Sequence, residues 1–71
     1  MPHTVPSLDA LLTIVHAEFL EMPGMRLTRE QVRRLWHLDE ELCDVVTRRL
    51  LQDRVVELDR RGRLHLPSVT P

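Results

Sequence analysis

Arg54, Arg60, Arg61 and Arg63 fall within residues 54–63, where only Glu57 and Asp59 offset them. A guanidinium presents a planar fork of donors and keeps its charge at every physiological pH, so it grips phosphate or carboxylate through paired hydrogen bonds. Arg48 and Arg49 extend the same resource upstream, whereas residues 1–25 hold no arginine and three acids, Asp9, Glu18 and Glu21. All ten basic residues are arginine. GC-rich coding accounts for that most simply, and use of arginine for bidentate phosphate contacts is the functional alternative. A second charged run has the opposite sign: "LDEELCDVV" sets Asp39, Glu40, Glu41 and Asp44 at what reads as the start of a helix. Carboxylates there complement the helix dipole, each by about 0.3–1 kcal/mol, so stability alone explains them.

Other chemistry finds little to work with. No glycine-rich phosphate loop and no nucleophile motif is present, and Glu40 and Glu41, being adjacent, diverge by about 100° around a helix. No catalysis and no small-molecule substrate is expected. Four histidines (3, 16, 37 and 65) and the single cysteine, Cys43, lack metal-ligand spacing, so no metal and no cofactor is expected either. Cys43 reads as a small core residue, and His16 and His65 as surface residues.

Seventy-one residues suffice for one domain, which buries only about 60% of the surface its unfolded chain exposes. The net charge of −1 is not that of a general polyanion binder. One cysteine excludes an internal disulfide and suits a cytoplasmic setting. The opening "MPHTVPSLDALLTIV" lacks the basic start of a signal peptide, and the apolar stretch after it is interrupted by Asp9, His16 and Glu18. No membrane association is expected.

Element signals follow in order along the chain. Pro-bearing tails flank the domain, a flexible 1–7 and a flexible 67–71. Ser7 can cap a first helix whose apolar face is Leu8, Leu11, Leu12, Val15, Phe19 and Met22, ended by "MPGM". Leu27 suits a short extended stretch. "TREQ", Thr28 to Gln31, is a capping box opening a second helix with the stripe Val32, Leu35 and core Trp36. Asp39 caps a third helix, with Leu42, Cys43, Val46 and Leu50 inward and Asp44 placed to pair with Arg48. After Arg54 the period becomes two: Val56 and Leu58 alternate with Glu57, and Leu64 and Leu66 with Arg63 and His65, around the turn "DRRG".

That order resembles a winged helix-turn-helix domain of the kind found in small bacterial transcription regulators. The resemblance covers residues 8–66 and rests on "RLTREQVRRLWHLDEELCDVVTRRLL", "DRVVEL" and "DRRGRLHL". It implies an α+β fold, three helices with a short β-hairpin wing, in which the third helix enters the DNA major groove and the wing meets the backbone. On that basis Arg48, Arg49, Arg54, Arg60, Arg61 and Arg63 are the DNA contacts, with Arg29, Arg33 and Arg34 as weaker candidates. Two departures stand out. His37 occupies a turn position that is often glycine, and the acidic helix start would meet phosphates. The outward face of that helix, Glu41, Asp44, Arg48 and Leu51, is poorly suited to reading bases. Ala10, Ile14 and Ala17, opposite the core stripe of the first helix, form an apolar strip suited to a homodimer or a larger protein partner. The alternative reading is therefore a winged-helix protein-protein interaction module that does not bind DNA.

Overall fold

A computed structural model describes residues 7–67. The expectations for tail residues 1–6 and 68–71 lie outside that range. Six elements succeed one another: α1 (Leu8–Glu21), β1 (Leu27–Thr28), α2 (Arg29–Leu35), α3 (Glu40–Gln52), β2 (Glu57–Leu58) and β3 (Arg63–His65). The fold is α+β, three helices with a three-stranded antiparallel sheet in the order β1-β3-β2.

Each helix begins where a short polar side chain can replace a missing backbone acceptor. Ser7 Oγ accepts from Ala10 N at 3.1 Å, and Asp39 Oδ1 from Leu42 N at 2.7 Å. Thr28 and Gln31 form the reciprocal capping box, at 3.1 Å and 2.8 Å.

Two helices end alike. After α2, His37 takes the left-handed conformation (φ 54°), with His37 N donating to Arg34 O and Leu38 N reaching back to Arg33 O at 2.8 Å. After α3, Arg54 does the same (φ 59°), with Arg54 N donating to Leu51 O and Val55 N to Leu50 O at 2.9 Å. Both are Schellman closures, which normally place glycine at the left-handed position because a Cβ is strained there. Leu38, just past the first closure, is buried and anchors the turn between α2 and α3.

The core joins Leu11, Val15 and Phe19 of α1 to Val32 of α2, Leu38, and Cys43, Val46 and Leu50 of α3, with Val56 and Leu64 closing it from the sheet. Leu64 lies on the central strand, opposite Leu27 on one side and Leu58 on the other. Three apolar residues expected inside are exposed. Met22 is the C-cap of α1, where the backbone has left helical geometry and carries the side chain off the stripe. Leu35 ends a helix of 7 residues, too short for a full stripe, and is 54% exposed. Leu58 shares the inward face with Leu64 but stands on the edge strand, and is 53% exposed. Trp36 and Leu42 are only partly buried, packing against the margin of the core.

Candidate nucleic-acid interface

The hairpin tip is organised by Asp59, which sequence reading passed over. Its Oδ1 accepts from the backbone N–H of Arg61 at 2.8 Å and of Arg63 at 2.9 Å. Its Oδ2 accepts from Arg63 Nε at 2.9 Å and from Arg26 Nη1 at 3.1 Å. Gly62 completes the turn with φ 78°, a conformation that favours glycine, and its N–H donates to Asp59 O at 3.0 Å. The Arg63 backbone N–H, foremost, and then those of Arg61 and the two guanidinium groups hold the Asp59 carboxyl far below the usual carboxylate range, against the opposing effect of desolvation. An aspartate opening a four-residue turn was the available signal, since such side chains commonly bind backbone N–H groups two residues on.

Asp59 thus divides the hairpin arginines. Arg63 is half-buried and held, while Arg60 and Arg61 are exposed at the tip. Among the described residues neither has a carboxylate within 4.0 Å, and the same is true of Arg48 and Arg54. Arg49 is half-buried and loosely paired, 3.7 Å from Asp53. Of the six arginines expected to meet DNA, four are available to an anion without breaking an ion pair. They come from three places: the tip, the outward face of α3, and the junction after it.

The acidic start of α3 is partly neutralised from within. Asp39 is occupied as a cap. Arg29, at the start of α2, donates from Nε (3.1 Å) and Nη2 (2.7 Å) to Asp44 Oδ1, and from Nη2 to the Glu40 carbonyl at 3.3 Å. Its Nη1 stands 3.5 Å from Glu40 Oε1. The bond to Asp44 raises the Arg29 pKa further. Two expectations are corrected here. Asp44 pairs with Arg29 rather than with Arg48, because Arg29 is already fixed beside Glu40 and brings several donors to one place. Arg29 itself is committed to holding α2 against α3 and has little left for a phosphate. One arginine against four acids leaves this end negative, with Glu41 exposed and unpaired among the described residues. An open depression of about 290 Å³ beside it is lined by Asp39, Glu41, Leu42 and Val45.

Arg33 and Arg34 both lean on Glu30, whose carboxyl is held low chiefly by the Arg33 hydrogen bond. Cys43 is fully buried, its thiol directed at Arg29 O at 3.5 Å, and burial pushes its pKa up. His16 and His65 are half-buried rather than fully on the surface, and His65 Nδ1 lies 2.7 Å from Leu66 O. Among the described residues no three His, Cys, Asp or Glu side chains converge as a metal site, and no helix is long and apolar enough to cross a membrane. Ala10, Ile14 and Ala17 all lie exposed on α1. In comparisons with protein-family models, curated proteins and solved structures, nothing matches this chain.

Proposed function

We propose that the chain is a winged helix-turn-helix module that binds duplex DNA through its backbone and acts as a small cytoplasmic transcription regulator. The element order, the four-residue turn between α2 and α3, and the sheet order β1-β3-β2 support the fold reading. In this reading the β2–β3 hairpin is the wing and α3 the groove helix. One observation carries the function: Asp59, the acid nearest the tip arginines, is turned onto Arg26, Arg63 and backbone N–H groups, which leaves Arg60 and Arg61 paired with no carboxylate. Arg54 adds support of a different kind, because it holds a strained left-handed position where glycine would be easier, yet keeps an exposed cation there. The contacts are to phosphate, since the face of α3 presents Glu41, Asp44 and Arg48 and offers few base-reading groups.

Fluorescence anisotropy against a random-sequence duplex, from low to physiological salt, tests this. Binding is expected to weaken steeply with salt, and Arg60→Ala with Arg61→Ala to lower the slope of log K against log salt by about 2. No binding at low salt overturns it. The exposed, net-negative start of α3 favours a second reading, a winged helix that meets a protein and not DNA. In that case the wing variant is silent and Glu41→Arg abolishes partner binding; Leu51, expected on the outward face of α3, is partly buried and packs against the core instead.

A further inference from the structure

Arg26 and Asp59 belong to opposite edges of the sheet. Arg26 stands immediately before β1 and Asp59 immediately after β2, and β3 lies between those two strands. Arg26 Nη1 nonetheless reaches Asp59 Oδ2 at 3.1 Å, so one side chain crosses the central strand. Leu27 pairs with Leu64 and Leu64 with Leu58, which puts the residues one step along each strand on the outer face. Arg26, Arg63 and Asp59 are such residues.

Asp59 accepts from the hairpin itself through Arg61 N, Arg63 N and Arg63 Nε. Among the described residues Arg26 is its one donor from elsewhere in the chain. β2 has two residues and β3 three, and a hairpin so short holds its turn poorly unaided. The Asp59 side chain is only 13% exposed, so its end of the pair is shielded from solvent. Arg60 and Arg61 lie inside the turn that Asp59 closes, since Asp59 N donates to Arg63 O at 2.9 Å. Their direction therefore depends on a carboxylate that Arg26 fastens to the body of the fold.

We propose that Arg26 is a positioning residue for duplex binding: held on Asp59, it presets Arg60 and Arg61 toward the phosphates and touches none itself. The inference rests on the DNA reading above. A preset tip has less motion to surrender on binding, and ordering loose segments is a direct cost to affinity. The Arg26 charge, directed at Asp59, also keeps that carboxylate from opposing the phosphates.

Two measurements on the full chain test it. In the free protein, NMR relaxation should give backbone order parameters of about 0.85 at Arg60 and Arg61, falling toward about 0.6 in Arg26→Ala. Those of α3 should stay unchanged, which verifies that the variant folds. Arg26→Lys returns one donor to the one oxygen that Arg26 contacts and should restore most of the order. In anisotropy titrations Arg26→Ala should weaken duplex binding by about three- to tenfold. The slope of log K against log salt should not change, because no phosphate contact is lost. Within the Arg60→Ala, Arg61→Ala variant the same substitution should cost nothing further, since it acts through those two side chains. An undisturbed tip in Arg26→Ala overturns the proposal. So does a slope lower by about 1, which makes Arg26 a phosphate contact, or an equal loss in the variant without tip arginines. A wild type that binds no duplex at low salt overturns the DNA reading and this proposal with it. A wild type that binds, with Arg26→Ala binding equally well, overturns this proposal alone.

Discussion

Arg29 and Asp44, 15 residues apart, are joined by two hydrogen bonds to one carboxylate oxygen, at 2.7 Å and 3.1 Å. The pair ties the start of α2 to the first turns of α3 and fixes the angle at which the acidic helix start faces solvent. Both side chains are substantially exposed, so the ion pair is screened, and its value lies more in geometry than in gross stability. Arg29→Ala and Asp44→Ala should each lower the melting temperature by a few degrees. The double variant should fall short of the sum, as expected of directly coupled residues. Arg29→Lys should recover only part of the loss, because an ammonium cannot reach Asp44 and the Glu40 carbonyl with the same fixed fork. Thermal unfolding followed by circular dichroism measures all four, and strict additivity would disprove the coupling.

Acid should destabilise the fold through Asp59 and Glu30. Both carboxyls have folded-state pKa values below their ordinary 3.8 and 4.5. A lowered folded value means that the unfolded chain binds protons more readily. Their stabilisation is therefore complete above the ordinary values and is lost as pH falls through them toward the folded ones. The melting temperature should be level from neutrality to about pH 5 and then decline. Asp59→Asn keeps an oxygen acceptor for the backbone N–H groups but loses the charge facing Arg26 and Arg63. It should lower stability at pH 7 and flatten the acid decline. A decline as steep as in the wild type would assign the effect elsewhere.

The two left-handed closures predict opposite consequences for stability and binding. His37→Gly and Arg54→Gly each relieve a strained Cβ, and each should stabilise the fold by about 0.5–1 kcal/mol after the entropy of the glycine is counted. In a domain this small that is several degrees in melting temperature. Only Arg54→Gly should also weaken duplex binding, since it alone removes an available cation. If both variants bind DNA as the wild type does, Arg54 is not a contact.

The same contrast separates what could be read in the sequence from what could not. Ser7, Thr28, Asp39 and Gly62 act on groups within a few residues, so local chemistry located every helix start and the hairpin turn. Periodicity found Val15, Phe19, Val46 and Leu50, because a helix packed on one side buries one stripe. It failed at Leu35 and Leu58, where burial depends on whether another element lies beyond, and no pattern within the segment encodes that. It also set Asp44 beside Arg48, its nearest neighbour along the helix, when the packing of α2 onto α3 had brought a better partner from outside. The six candidate arginines were visible as charge, but which of them remain unpaired was decided by Asp59 and Asp53.

Cys43 should be inert in the folded chain. It is fully buried, and burial raises its pKa, so both access and thiolate fraction are low. An aromatic disulfide reagent at pH 8 should react with it only at the rate of unfolding, and rapidly in denaturant. Rapid reaction under native conditions would mean that α3 separates from the core far more easily than its packing implies.

Glu41 offers the sharpest test of how the acidic helix start bears on DNA. Unlike Asp39, Glu40 and Asp44, it serves as neither cap nor partner of Arg29 among the described residues, so Glu41→Gln should leave stability nearly unchanged. If α3 approaches a duplex as proposed, the Glu41 carboxylate stands within a screening length of phosphates and opposes binding. Charges a few ångströms apart in water interact by about 1 kcal/mol, so the substitution should tighten binding by about two- to fivefold at low salt, with the gain shrinking as salt rises. Glu18→Gln removes the same charge from the exposed surface of α1, which is no part of the proposed contact, and should leave affinity unaltered. Equal gains from both would indicate a general response to net charge with α3 unoriented. No gain from Glu41→Gln would mean that α3 does not face the duplex, leaving its acidic start exposed to a protein partner instead.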